Sequence, residues 1–367
     1  MFAAPLQLDG LPLANRVLLA PLAGVTDVPF RRICQRFGAG LTYVEMLSAN
    51  ALLCGSRQTH DMLARHGSET VLGVQLTGKT VEEVVKAGLF LEKEGFDTLD
   101  INMGCPVRKV VGSGMGAAFL CDPERISETM AALKASLRIP VTMKTRVGFE
   151  SDVITVADTA RRAVDAKVVM LTLHGRTRSC TYADPIRYDA MAEGFRIVRE
   201  LRPETVLCGN GNVMDVASGR RMVEATGCDA VMVSRGALGN PWLFKELVEE
   251  TPCVPTLAEW REVVEQHLVW HREHYGDHVH AARRMRKHLI WYAHGFPHCA
   301  KLRLRLNTVD CFADAESALR EYVGRFPPDL RRYEDGGASR TDAAKDEPKL
   351  AMDRALDRGV GEDGLGG

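Results

Sequence analysis

Short apolar runs alternate with helical patterns along the first two thirds of the chain. The runs Val17 to Ala20, Leu41 to Met46, Val71 to Leu76, Thr98 to Met103, Val141 to Arg146, Val168 to Leu173, Thr205 to Cys208 and Asp229 to Ser234 read as eight strands. Between them, apolar residues recur at helical spacing over Val81 to Lys93, Asp122 to Leu137, Ile154 to Asp165, Ile186 to Leu201 and Val213 to Thr226. Each connection is long enough for a parallel crossover. The rhythm therefore predicts an α/β fold of the (β/α)8 or TIM-barrel type, with its chemistry at the C-terminal ends of the strands. A doubly wound open sheet is the alternative, but it calls for a Gly-x-Gly-x-x-Gly turn after the first strand, where this chain has Ala20-Pro21-Leu22-Ala23-Gly24. Residues 1–16 read as a short hairpin around Asp9-Gly10 that closes the barrel bottom.

After Glu250 the period changes. Thr256 and Glu259 have capping-box spacing, and Leu257, Trp260, Val263, Val264 and Leu268 follow as a helical stripe. Further helices are predicted over His278 to His294 with Gly295 as the stop, over Cys299 to Leu306 and over Asp314 to Val323. The expected division is a barrel over residues 1–250, a small C-terminal all-α helical domain over 251–333, and a disordered tail over 334–367, where Gly, Asp, Ala and Arg dominate.

Composition changes this picture little. The chain has 367 residues and a formal net charge of −1, so any nucleic-acid surface must be local. Its 10 cysteines contain no Cys-x-x-Cys pair, which reads as reduced thiols with no metal site. No basic leader with an apolar core opens the sequence, and no apolar run approaches the roughly 18 residues of a membrane span. A cytoplasmic protein, away from membranes and with no obligate protein partner, is expected.

Polar and small residues then gather at one end of the predicted barrel. Pro21 to Gly24 follow the first strand, Gln75 ends the third, Lys144 and Arg146 end the fifth, and His174-Gly175-Arg176 follow the sixth. Gly209-Asn210-Gly211-Asn212 and Ser234-Arg235-Gly236 follow the last two, where such barrels commonly build a phosphate cradle. After the fourth strand, Gly104-Cys105-Pro106 puts a thiol on a turn. Thr142, Lys144 and Arg146 share one strand face, so an inward face presents a cation at the mouth. A phosphate site surrounded by amides and a lysine suits FMN, although a plain sugar phosphate stays open on these grounds.

The Asn102-Met103-Gly104-Cys105-Pro106 turn resembles the tRNA-dihydrouridine synthase family, most closely its bacterial B-type branch. So do Lys144-Thr145-Arg146-Val147-Gly148, His174-Gly175-Arg176-Thr177, Gly209-Asn210-Gly211 and Arg235-Gly236-Ala237. The likeness runs from about residue 10 to 330 and includes Arg286-Lys287-His288 before Trp291-Tyr292. It implies an FMN enzyme that takes electrons from NADPH and reduces the C5–C6 bond of particular tRNA uridines. By that resemblance Cys105 is the general acid. Pro21, Leu22, Ala23, Gln75, Lys144, His174, Asn210, Gly211, Asn212, Ser234 and Arg235 hold FMN, while Asn102, Arg146, Arg176, Arg283, Arg286 and Lys287 meet the substrate. Leu22, Asn212, Ser234 and Arg187-Tyr188 depart from the family's usual residues, which touches the fit around FMN and the substrate subtype. Arg283, Arg284, Arg286 and Lys287 crowd one helix, with Lys301, Arg303 and Arg305 on the next, and they read as an RNA-backbone surface. Two other readings remain: a flavin barrel acting on a free small molecule, and a tRNA-binding module without activity.

Overall fold

The computed structural model describes residues 1–333, and the predicted tail lies outside the described residues. Two strands, β1 (Leu6–Leu8) and β2 (Leu11–Leu13), form the antiparallel hairpin. Asp9 and Gly10 turn it with φ of 49° and 91°, the left-handed pair whose twist suits a tight hairpin. Eight parallel strands follow: β3 (Val17–Leu19), β4 (Thr42–Ser48), β5 (Leu72–Thr77), β6 (Thr98–Met103), β7 (Val141–Arg146), β8 (Met170–His174), β9 (Val206–Asn210) and β10 (Ala230–Val233). They pair in the order β3-β10-β9-β8-β7-β6-β5-β4. Leu19 N donates to Leu41 O at 2.9 Å beside a parallel bridge between Leu18 and Leu41, so the sheet closes on itself. The barrel expectation holds, and so does the hairpin's place. Leu6, Leu8 and Leu13 pack with Leu18, Leu41, Tyr43, Met170, Val206 and Met232 in one apolar cluster at the barrel floor.

The crossover helices form because each stretch has one apolar stripe to bury against the strands. Helices α1 (Val28–Arg36), α2 (Ala49–Leu53), α3 (Arg57–Asp61), α4 (Val81–Lys93), α5 (Arg108–Gly112), α6 (Pro123–Ser136), α7 (Val156–Asp165), α8 (Tyr188–Leu201), α9 (Val216–Thr226) and α10 (Trp242–Glu249) surround the barrel. Their starts carry chemical signals: Thr80 and Glu83 make a reciprocal capping box on α4, and Asp27 caps α1 by accepting from Phe30 N at 3.0 Å. Four strands, β4, β5, β8 and β9, run further at their C-terminal ends than the apolar pattern predicts. His174 pairs with Arg146 and Asn210 in the ladder, because a polar side chain at the barrel mouth keeps its backbone bonds after hydrophobicity has ended.

The remaining helices, α11 (Leu257–Tyr275), α12 (Val279–Tyr292), α13 (Cys299–Leu306) and α14 (Phe312–Val323), gather a cluster of their own around Trp260. The capping box of Thr256 and Glu259 starts α11 as predicted. This group joins the barrel through α1, where Ile33 enters the helical cluster and Phe30 lies 5.3 Å from the His288 ring. No helix of the described residues is long and apolar enough to cross a membrane.

Candidate active site

A cleft of about 1260 Å3, open mouth included, occupies the C-terminal end of the strands. Pro21, Leu22, Ala23, Gln75, Lys144, His174, Asn210, Gly211, Asn212, Ser234 and Arg235 all line it, together with Asn102, Cys105 and Arg146. Sheet register explains the gathering. Asn102 sits beside Lys144, Arg146 beside His174 and His174 beside Asn210, so side chains in the inward phase of neighbouring strands stack into one wall. Met46, Tyr182 and Trp291 also line it and were absent from the sequence expectation. Met46 lies near the end of a predicted strand, a signal that was there to use; Tyr182 and Trp291 arrive from a loop and from α12, whose approach no local pattern encodes.

The cysteine turn is fixed from several sides. Asn102 Oδ1 accepts from Gly104 N at 3.1 Å and from Cys105 N at 2.8 Å. Arg146 donates from Nε to Gly104 O at 2.7 Å and from Nη1 to Thr177 O at 2.9 Å, tying this turn to the loop after β8. Behind it, Gly116 has φ of +58°, and a Cβ there would stand 2.9 Å from Cys105 O. A short 3-10 segment, Gly116–Cys121, thus lies directly against the turn, and Ala117 N donates to Cys105 O at 3.1 Å. Burial pushes the Cys105 thiol up from its ordinary range, against the pull of a backbone N–H and of Arg146 and Lys144. The group is a protonated thiol at neutral pH.

The rest of the cleft is cationic. Burial lowers the Lys144 ammonium, with Arg146 adding to the effect and Asp100 opposing it. His174 is driven well down by burial and by Arg146, Lys144, Arg176 and Arg235, so its ring is neutral. Its Nδ1 accepts from Arg176 N at 3.2 Å, which leaves the proton on Nε2 as a donor. Asn210 Nδ2 donates to Met232 O at 2.7 Å and to Ser234 Oγ at 3.0 Å. Asn210 Oδ1 is buried without a hydrogen-bond partner among the described residues, an acceptor that a ligand N–H would satisfy. Asn212 Oδ1 accepts from both Arg176, at 3.3 Å, and Arg235, at 3.1 Å. Being neutral, it leaves their charge available to an anion. At Gly236 a Cβ would meet Val213 O at 2.3 Å, so the last two loops press together as a cradle requires. An orphan amide acceptor, a neutral histidine donor and the Arg235 guanidinium fit a planar heterocycle carrying a phosphate.

Some expected residues have other tasks. Gln75 donates to Asp100 and accepts from Asn102, leaving one N–H and one lone pair for a ligand. Arg176, 1 % exposed, is held by Asp184 O, Tyr182 O and Asn212, so it shapes the loop after β8 and does not face a substrate. The Lys287 ammonium turns inward onto Gly24 O beside Asp27 and Glu45, and Glu45 in turn accepts from Gly24 N. It pins the loop of Pro21, Leu22 and Ala23, which corrects its assignment to an RNA surface. Arg283 and Arg286 do reach the surface but lie outside the cleft, and both bond the single carboxylate of Asp310, leaving a positive excess. On α13, Arg305 pairs with Glu321 and Arg303 donates to Ala293 O, so the second basic helix is largely engaged. Below this surface, Asp27, His267 and His288 bring a carboxylate and two imidazoles within 4.8 Å of one another.

Comparisons with known proteins agree with this geometry. The dihydrouridine synthase (Dus) family model matches residues 18–325. The chain is 34 % identical over 309 residues to tRNA-dihydrouridine synthase B of Pasteurella multocida, covering 83 % of this chain and 91 % of that one. It is 32 % identical to the protein of the same name from Vibrio cholerae, covering 86 % and 98 %. Among solved structures, the old yellow enzyme from Trypanosoma cruzi superposes with a TM-score of 0.52 at 12 % identity, over 68 % of this chain and 92 % of that one, a likeness of fold. The match to the family model over nearly the whole described chain, and the level of identity to these relatives, show that the chain belongs to the dihydrouridine synthase family.

Proposed function

We propose that this protein is a tRNA-dihydrouridine synthase that uses FMN and NADPH to reduce the C5–C6 bond of uridine in tRNA. The observation that carries the reading is a protonated thiol, Cys105, held at the mouth of a cleft whose lining suits a flavin and its phosphate. Family membership and the names of the relatives support the same reaction.

In this reading Pro21, Leu22 and Ala23 cover one side of the flavin, with Gln75, Lys144, His174 and Asn210 around its ring. Gly211, Asn212, Ser234 and Arg235 hold its phosphate. When bound, FMN supplies the hydride that reaches uracil C6. Lys144 offers a cation to the charge that the reduced ring system carries. Cys105 delivers the proton to C5 from the opposite face, and Asn102 and Arg146 keep its turn in place while the base enters. A stacked uridine must leave its helix to reach this thiol, at a cost of a few kcal/mol offset by contacts elsewhere. The exposed guanidinium of Arg283 and the half-buried one of Arg286 on α12 supply phosphate contacts for that purpose. NADPH uses the same mouth in turn, since the chain has no separate dinucleotide fingerprint.

The test is to incubate the purified protein with NADPH and tRNA transcribed without modification, and to map dihydrouridine by mass spectrometry. A yellow protein that forms dihydrouridine at defined positions is the expected result. A colourless protein, or a flavoprotein reoxidised by free pyrimidines and not by tRNA, overturns the proposal.

A further inference from the structure

Asp100 lies two residues before Asn102 on the same inward face of β6, yet it contributes nothing to the lining of the cleft. It is 1 % exposed. Both carboxylate oxygens are engaged: Oδ1 accepts from Thr142 Oγ1 at 2.7 Å, and Oδ2 accepts from Gln75 Nε2 at 2.7 Å. Gln75 therefore turns its carbonyl the other way, where it accepts from Asn102 Nδ2 at 2.8 Å. Asn102 is left with Oδ1 facing the chain, and this oxygen accepts from the backbone of Gly104 and Cys105.

A primary amide has a donor end and an acceptor end, and a Gln–Asn pair in isolation is satisfied in either sense. A carboxylate has acceptors only. At the head of the line Asp100 selects one sense for Gln75, Gln75 selects one for Asn102, and an acceptor arrives at the turn that carries the thiol. The opposite sense would set an NH2 group against two backbone N–H groups. A buried carboxylate is a costly way to fill a barrel interior, and what this one does there is impose a direction on the two amides. Burial raises Asp100 to about 6, and two donated hydrogen bonds and the Lys144 ammonium offset only part of that push, so the group is still mainly a carboxylate at neutral pH.

We propose that Asp100 is a positioning residue for Cys105, fixing through Gln75 and Asn102 the direction of a hydrogen-bond relay that holds the thiol-bearing turn. The proposal deepens, and rests on, the reading of Cys105 as proton donor.

A double-mutant cycle tests it: Asp100→Asn, Gln75→Glu and the two together, in the full-length protein. The rate at which iodoacetamide alkylates Cys105 is followed from about pH 7 to about pH 9.5, with the Cys105 peptide quantified by mass spectrometry. Gln75→Glu alone sets two acceptor-only groups face to face, and Asp100→Asn alone removes the fixed acceptor. Each is expected to loosen the turn and raise alkylation roughly fivefold or more, with turnover of tRNA lowered in kcat and not in KM. In the pair, the new amide at position 100 donates to the new carboxylate at position 75, which still accepts from Asn102. Alkylation then returns to within about twofold of the parent. A pair that folds where a single variant does not is the same rescue. A pair that alkylates as fast as the faster single variant, or that fails to fold where either single folds, overturns the proposal. Alkylation needs no turnover, so a parent protein that forms no dihydrouridine overturns the functional reading alone.

Discussion

Cys105 combines two properties that a proton donor needs and a nucleophile does not: burial keeps its thiol neutral, and its backbone is held from the Asn102 and Arg146 sides. Removing the sulfur leaves those backbone bonds in place. Cys105→Ala should therefore retain flavin and its reduction by NADPH, while uridine reduction falls by about 10² to 10⁴, the usual loss for a general acid. Stopped-flow flavin spectra paired with dihydrouridine counts separate the two half-reactions. Parental dihydrouridine formation would remove Cys105 from the mechanism. At this scale Lys144 was legible from sequence because strand alternation is rigid: Thr142, Lys144 and Arg146 had to share a face. Lys287 was not, since α12 carries cations on several sides and only tertiary packing decides which one turns inward onto Gly24 O.

At the scale of elements, α12 and the loop after β3 act together. The Lys287 ammonium donates to Gly24 O in the neighbourhood of Asp27 and Glu45, so Lys287→Met would remove that hydrogen bond and a nearby positive charge. A loss of about 1 to 3 kcal/mol is expected, the cost of leaving the Gly24 carbonyl without its charged donor, with weaker flavin retention because Pro21, Leu22 and Ala23 lose their anchor. Urea unfolding and flavin dissociation measured on the same variant check both. Unchanged flavin affinity would show that the anchor does not reach the site. The same elements mark how far pattern reading goes. All eight strands and the long crossover helices followed from period and breakers, since each buries one face of a regular element. Helices of five residues, α2, α3 and α5, are too short to show a period, and Asp100 offered no signal because its partners come from β5 and β7.

For the molecule as a whole, buried imidazoles make acid the weak side. Burial drives His267 to about 3 and His271 to about 4, and it drives His174 and His288 well down. Unfolded, all four titrate near about 6.5. Above that pH both states are neutral and the fold keeps its full stability. As pH falls below it, the unfolded chain takes up protons that the folded chain refuses until about 4 for His271 and about 3 for His267, so stability is lost. Asp100 and Glu45, raised by burial, work in the opposite sense and cancel part of the loss. Each unopposed histidine contributes about 1.4 kcal/mol per pH unit. Thermal melts from about pH 7.5 down to about pH 5 should show a steady fall in Tm, made shallower by His288→Phe. A flat profile would mean that these rings are hydrated and titrate freely.

The inward turn of Lys287 has a consequence beyond stability. One side chain touches the loop proposed to cover the flavin and grows from the helix that carries Arg283 and Arg286. A tRNA contact on this helix that shifts Lys287 would change the grip on flavin, and the change would be mutual. Thermodynamic reciprocity requires that if tRNA tightens the grip on flavin by some factor, flavin tightens the grip on tRNA by the same factor. Apoprotein and holoprotein should differ in tRNA affinity by the ratio that tRNA imposes on flavin dissociation, and in Lys287→Met both ratios should move together toward unity.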